Sequence, residues 1–136
     1  MAFQLLFDQR YSYAADDKQA IHLPVRLSVN DISFEITAKI DTGSQDCIFE
    51  RRWGERLGLD VERGVGTDFR TVAGSFVTFG HRVVIETCGL ASESDIYFAR
   101  DWQMNRNVLG RNGWLDRFQL AIVHYDRELF LSPYGH

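Results

Sequence analysis

Residues 39–45, Lys-Ile-Asp-Thr-Gly-Ser-Gln (KIDTGSQ), decide how this chain is to be read. They close the stretch ISFEITAKI at 32–40, where Ile32, Phe34, Ile36, Ala38 and Ile40 alternate with Ser33, Glu35, Thr37 and Lys39. That period of two is the mark of a half-buried strand. Asp41 therefore leaves the strand end among apolar neighbours, where desolvation disfavours a charge. Thr42 brings a hydroxyl, and Gly43 lets other backbone approach closely. Asp, Gly and Ser are also ordinary turn residues, so the tripeptide alone reads equally well as a simple turn.

Upstream, HLPVRLSV at 22–29 alternates through Leu23, Val25, Leu27 and Val29. Asn30-Asp31 suits the turn of a hairpin joining it to the next strand, and Pro24 implies a strand start or an edge position. Downstream the period lengthens: Phe49, Trp53 and Leu57 are spaced by four, which predicts a short helix with Asp46 as N-cap and Gly58 as its stop. Residues 76–86, FVTFGHRVVIE, read as extended chain behind the turn signal Ala73-Gly74-Ser75, so 69–86 is expected to be a long hairpin. Ile96 to Ala99 is a further strand, Val108-Leu109 a short apolar one ending at Gly110, and 112–117 at best a short helix. LAIV and ELFL pair across Tyr125-Asp126-Arg127. The expected architecture is mainly β with one or two short helices.

The chain has 136 residues, 45% hydrophobic and 13% aromatic, enough for one domain over 1–136 with its own core. Its apolar runs are far shorter than the roughly 20 residues that span a bilayer. MAFQLLFDQR lacks a basic segment followed by a long apolar one. A soluble, cytoplasmic protein is expected, with no membrane partner. The formal charge of -4 arises from interspersed acids and bases, without the Lys/Arg block that a nucleic-acid partner needs. Cys47 and Cys88 lie far apart, and His22, His81, His124 and His136 are scattered. This spacing supports neither a disulfide framework, a metal site, nor a Cys47 couple with His81 or His124, and no cofactor is expected. Trp53 and Trp114 read as core residues, and Arg51-Arg52 as a solvated helix face.

Taken in order, an apolar strand into Asp41-Thr42-Gly43-Ser44, a helix ending near Gly58, a Gly-tipped hairpin, and Val108-Leu109-Gly110-Arg111-Asn112 leading into a helix resemble the retropepsin-like aspartic proteases. The resemblance covers about residues 22–132 and leaves 1–21 as an N-terminal extension, free to add a strand, to join LFLSPYGH at a dimer interface, or to lie over the cleft. It implies a closed β-barrel of the retropepsin type. It also implies that Asp41 is the catalytic aspartate, that Thr42 braces the loop against its symmetry mate, and that Gly43 lines the substrate cleft. Ser44, Gln45 and Asp46 would contact substrate, and a flap from Val72 through Ala73, Gly74 and Ser75 to Phe76 would cover it. Gly110 would pack behind the catalytic loop, and Arg111 would tie the last helix to the segment after it.

Two features depart from the retroviral pattern. Gln45 stands where an acid often follows, with Asp46 one place later, which implies a rearranged Arg111 tie. TVAGSF lacks a multiple-Gly tip, which implies a stiffer or differently shaped lid. With one Asp-Thr-Gly per chain, the resemblance implies a homodimer that cuts peptide or protein substrates with a shared pair of Asp41 carboxyls. The alternative of another class is a peptide-binding or dimerisation module of the same fold with little or no proteolysis.

Overall fold

The computed structural model describes residues 1–14, 20–72 and 74–134. The hairpin upstream of Asp41 forms as its alternation requires: β2 (His22–Val29) pairs antiparallel with β3 (Ile32–Ile40), and Asn30 takes the left-handed turn at φ 51°. Leu23, Val25 and Leu27 on one strand and Phe34, Ile36 and Ala38 on the other are buried. Each large aliphatic or aromatic side chain so removed from water contributes on the order of 1.5–3 kcal/mol, so a slip of one residue would expose the whole set. Pro24 lies outside the three residues, Arg26 to Ser28, through which β2 meets a second neighbour.

The middle of the chain forms a longer hairpin than its turn signal implied. β5 (Val65–Thr71) pairs with β6 (Gly74–Thr87), which turns back along β7 (Leu90–Ala99). With β4 (Ile48–Phe49) and β8 (Val108–Leu109), the strand order is β2-β3-β8-β4-β7-β6-β5, and a further β2–β6 pairing brings the sheet round on itself in a barrel-like circuit, with β5 outside it. The core fills this circuit with Val83, Ile85, Ile96, Phe98, Leu109 and Trp114, the last donating from Nε1 to Thr87 Oγ1 at 2.9 Å.

Asp46 does not cap the helix. Residues Ile48–Phe49 form a two-residue strand, β4, parallel to β7 and antiparallel to β8 (Val108–Leu109). The helix, α1 (Arg51–Arg56), starts later with Glu50 at its N-cap and no side-chain cap hydrogen bond, and Gly58 ends it at φ 81°. Phe49 keeps its place on the four-residue stripe because a buried strand residue and the first turn of a helix can share one core face. Arg51 is not solvated: its side chain is 13% exposed, ion-paired to Glu55 and Glu62 at 3.1 and 3.0 Å and bonded to the Arg100 carbonyl at 3.1 Å. Arg52 does face water. The helix expected in 112–117 is a single 3-10 turn, Leu115–Arg117.

A second, three-stranded sheet has the order β1-β10-β9, from β1 (Gln9–Ser12), β9 (Phe118–Val123) and β10 (Glu128–Pro133). The N-terminal strand is thus Gln9–Ser12 rather than MAFQLLF, and it pairs with β10 of its own chain. Tyr13 anchors it, its hydroxyl 2.7 Å from His124 Nδ1. Among the described helices none is long and apolar enough to cross a membrane.

Candidate active site

Asp41 sits where β3 ends, and the loop it opens is clasped by β8. That short strand lies between β3, to which it is parallel, and β4, to which it is antiparallel, so it threads between the two strands that flank the Asp-Thr-Gly turn. Backbone bonds lock the assembly. Asp41 N–H donates to the Leu109 carbonyl (3.0 Å), Ser44 N–H to that of Asp41 (3.1 Å), Arg111 N–H to that of Ser44 (3.0 Å), and Asn112 N–H to that of Gln45 (2.8 Å). Within the turn, Gly43 N–H donates to Asp41 Oδ1 at 3.0 Å, and Ser44 Oγ to the Asp46 carbonyl at 2.7 Å.

Gly110 is fixed by contact. A Cβ there would lie 2.2 Å from the Asp46 carbonyl oxygen and 2.9 Å from that of Ser44, closer than any side chain can come. Its own N–H donates to Cys47 Sγ at 3.4 Å, and that sulfur lies 3.6 Å from the Asn112 carbonyl. Cys47 is thus a clasp between the two segments, and burial pushes its thiol up to about 12. It is inert as a nucleophile and, like Cys88, free of any disulfide.

Asp41 is half-buried, while Thr42 and Gly43 are exposed beside it. The turn opens into a cleft of about 780 Å³ lined by Asp41, Gly43 and Ser44 to Asp46 on one side and by residues 67–71 and Phe76 of the β5–β6 hairpin on the other. Phe69 holds that hairpin down: its ring stacks on Phe76 with centroids 5.8 Å apart and meets Tyr97 edge-on at 5.7 Å. Burial pushes the Asp46 carboxyl above its usual value, against the pull of a hydrogen bond from Asn112 and the charge of Arg111; Asp95 adds to the rise. Arg111, exposed at the cleft, makes no ion pair within 4 Å among the described residues. Its backbone, rather than its side chain, is tied to the turn.

The expected site residues therefore divide. Asp41, Gly43, Ser44, Gln45, Asp46 and Arg111 line one cleft, and Gly110 lies directly behind it. Val72, Gly74 and Ser75 stand exposed at the hairpin tip, outside the cleft lining, and Ala73 lies outside the described residues. The sequence reading missed the other walls: Phe69, Arg70 and Arg106 in the cleft, and Trp102 and Met104 in a neighbouring pocket. Phe69 carried a usable signal, since it stands opposite Phe76 in the hairpin register. The 101–106 loop has no periodicity to betray it. Among the described residues no group of three or more His, Cys, Asp or Glu could hold a metal ion.

The family model of the aspartyl proteases matches residues 25–113, a span that holds the turn, the hairpin and β8 together. The chain belongs to the aspartyl protease family. Its fold is similar to that of a retropepsin-like aspartic protease from Rickettsia conorii, at 19% identity and a TM-score of 0.64, over 90% of this chain and 96% of that one. It is also similar to the EIAV protease complexed with the inhibitor HBY-793, at 21% identity and a TM-score of 0.55, over 72% of this chain and 88% of that one. The retropepsin-like fold follows from these likenesses. No curated protein sequence matches this chain.

Proposed function

We propose that the protein is a homodimeric aspartic endopeptidase in which two Asp41 carboxyls, one from each chain, face each other across a twofold axis. The observation that carries this reading is the exposure of Thr42 and Gly43 beside a half-buried Asp41 at the mouth of a cleft. One chain supplies one such carboxyl, and an isologous contact at the turn supplies the second.

Two carboxyls that close cannot both ionise, so they share one proton and titrate as a pair. The ionised member takes a proton from a water between them while the protonated member donates to the scissile carbonyl oxygen. The product is a neutral gem-diol, with no covalent acyl-enzyme. Its collapse breaks the C–N bond as a carboxyl gives a proton to the leaving amine. In this reading the Thr42 hydroxyl braces the paired loops, Ser44, Gln45 and Asp46 contact the substrate backbone, and the tip from Val72 to Ser75 closes over it. The cytoplasm, where thiols such as Cys47 and Cys88 stay reduced, is the proposed location.

The test is cleavage of a mixed peptide library across about pH 4–7, the range of a shared-proton pair, by native protein and Asp41→Asn at several concentrations. Cuts that vanish in the variant and weaken on dilution support the reading. A folded dimer that cuts nothing at any pH is instead a peptide-binding module.

A further inference from the structure

Three hollows meet at Arg106. It lines the Asp41 cleft, together with Asp68 and Arg70 from the β5–β6 hairpin. It also lines an adjoining pocket of about 630 Å³ whose apolar walls are Phe76, Trp102 and Met104, with Asp101 at its side. Arg106 also borders a smaller hollow of about 320 Å³, together with Lys39, His22 and Asn107, with no acidic residue in its described lining. Lys39 is two residues before Asp41 on the catalytic strand. The basic hollow therefore borders the strand that leads into Asp41, and Arg106 is shared between it and the Asp41 cleft.

The backbone under Arg106 is held firmly. The next residue, Asn107, accepts from Glu50 N–H at 3.1 Å through Oδ1 and donates from Nδ2 to Glu50 Oε2 at 2.7 Å. Its carbonyl takes the Lys39 N–H at 2.9 Å, and Val108 enters the sheet immediately afterwards. On this pedestal the Arg106 side chain is exposed and has no ion pair within 4 Å among the described residues, although Asp41, Asp68 and Asp101 border the same hollows. A planar five-donor fork on a fixed mount, with a second cation beside it, is suited to a carboxylate.

From this geometry we infer that Arg106, aided by Lys39, makes the cleft select peptides carrying an Asp or Glu side chain next to a large apolar residue. This inference rests on the peptidase reading of the cleft and names its substrate class. The apolar side chain fills the space between Phe76, Trp102 and Met104, and the neighbouring carboxylate reaches the Arg106 guanidinium. The interaction is at the rim and solvated, so it sets preference rather than bulk affinity. Because the recognised group must be ionised, the preference fades as pH falls through about 4.3, the ordinary value of a glutamate. It also weakens as salt shortens the screening length.

The test is a positional library in which Glu, Gln and Lys alternate at each place around a large apolar residue, cut at about pH 6 by native protein, Arg106→Gln and Arg106→Glu. Native protein is expected to favour Glu over Gln at one position by about three- to tenfold, the scale of one exposed charge-assisted contact. Arg106→Gln should level the two, and Arg106→Glu should turn the preference towards Lys. Equal use of Glu, Gln and Lys by native protein, or an undiminished Glu preference in Arg106→Gln, overturns the inference while leaving the peptidase reading intact. If native protein cuts none of the peptides, fluorescence anisotropy of the same Glu and Gln peptides on native protein and Arg106→Gln decides it. A Glu preference that the variant loses upholds the inference although proteolysis has failed; equal binding sinks it.

Discussion

The two walls of the cleft are built by different means. On the floor, the Asp41 turn and the Gly110-Arg111-Asn112 segment are bound backbone to backbone, and no side chain fits between them at Gly110. On the roof, the β5–β6 hairpin beyond Phe69 is held by ring contacts, and its tip stands in solvent. The floor keeps the Asp41 carboxyl in one place, as the proposed catalysis needs, since reacting groups must be held to a fraction of an ångström. In the proposed function it is the roof that opens for a peptide, since its exposed tip has few buried contacts to oppose it. Between them, the 101–107 loop is a third case, an irregular segment made rigid by the Glu50–Asn107 pair at one end.

The sharpest way to break this contrast is at Gly110. Gly110→Ala drives a methyl into the carbonyls of Asp46 and Ser44, and since both are backbone, neither can rotate away. A loss of at least about 3 kcal/mol is expected in denaturant unfolding. An unaffected midpoint would mean that the floor yields as readily as the roof.

Glu50→Ala comes next. Its carboxylate, 10% exposed, accepts from Asn107 Nδ2, Trp53 Nε1 at 3.0 Å and Arg52 at 3.1 Å, so removal orphans several donors. A cost of about 2–4 kcal/mol is expected, with Glu50→Gln recovering roughly half, because an amide oxygen still accepts. Equal losses in the two variants would show that packing, not hydrogen bonding, holds the loop.

Phe69→Ala sharpens the comparison from the roof. Loss of the two ring contacts, at about 0.5–1.5 kcal/mol each, should cost about 1–3 kcal/mol in stability, yet raise KM for peptide cleavage severalfold with a smaller change in kcat. A stability loss as large as that of Gly110→Ala would contradict a loosely held roof.

The smallest effect belongs to Asp46→Asn and shows in its pH dependence. Burial raises the folded carboxyl above its unfolded value, so the folded state holds the proton more tightly. Stability from this group is present at low pH and is lost as pH rises through the folded value. The variant, which cannot ionise, should therefore gain on the native protein between about pH 4 and 7. Parallel stability curves for the two proteins over that window would show that Asp46 ionises without cost.

The legible parts of the sequence were those where a local rule and the tertiary structure agree. The alternation in 22–40 located β2 and β3 because each has one face on the core. Asp41-Thr42-Gly43 and Val108-Leu109-Gly110 were legible as a pair because the fold brings β8 against β3. Asp46 misled as an N-cap because Ile48 and Phe49 are drawn into the sheet by β7 and β8, contacts that no spacing along the chain reveals. β7 runs from Leu90, earlier than its apolar end at Ile96 implied, since its inward residue Ser94 is polar and is satisfied by donating to the Gly113 carbonyl at 2.6 Å. Arg106 comes to the cleft, and Trp102 and Met104 to the pocket beside it, on an irregular loop, where position is set by anchors elsewhere.

The central claim, that two chains build one reacting pair, is tested most directly by mixing. A fixed amount of native protein is titrated with folded Asp41→Asn chain under conditions that let subunits exchange, and peptide cleavage is followed. If each site needs an Asp41 from both chains, an equal amount of the variant draws native chains into inert heterodimers and lowers the rate to about half. A rate that the variant leaves unchanged, with exchange verified, would mean that a single chain carries the whole activity, and the dyad would be wrong.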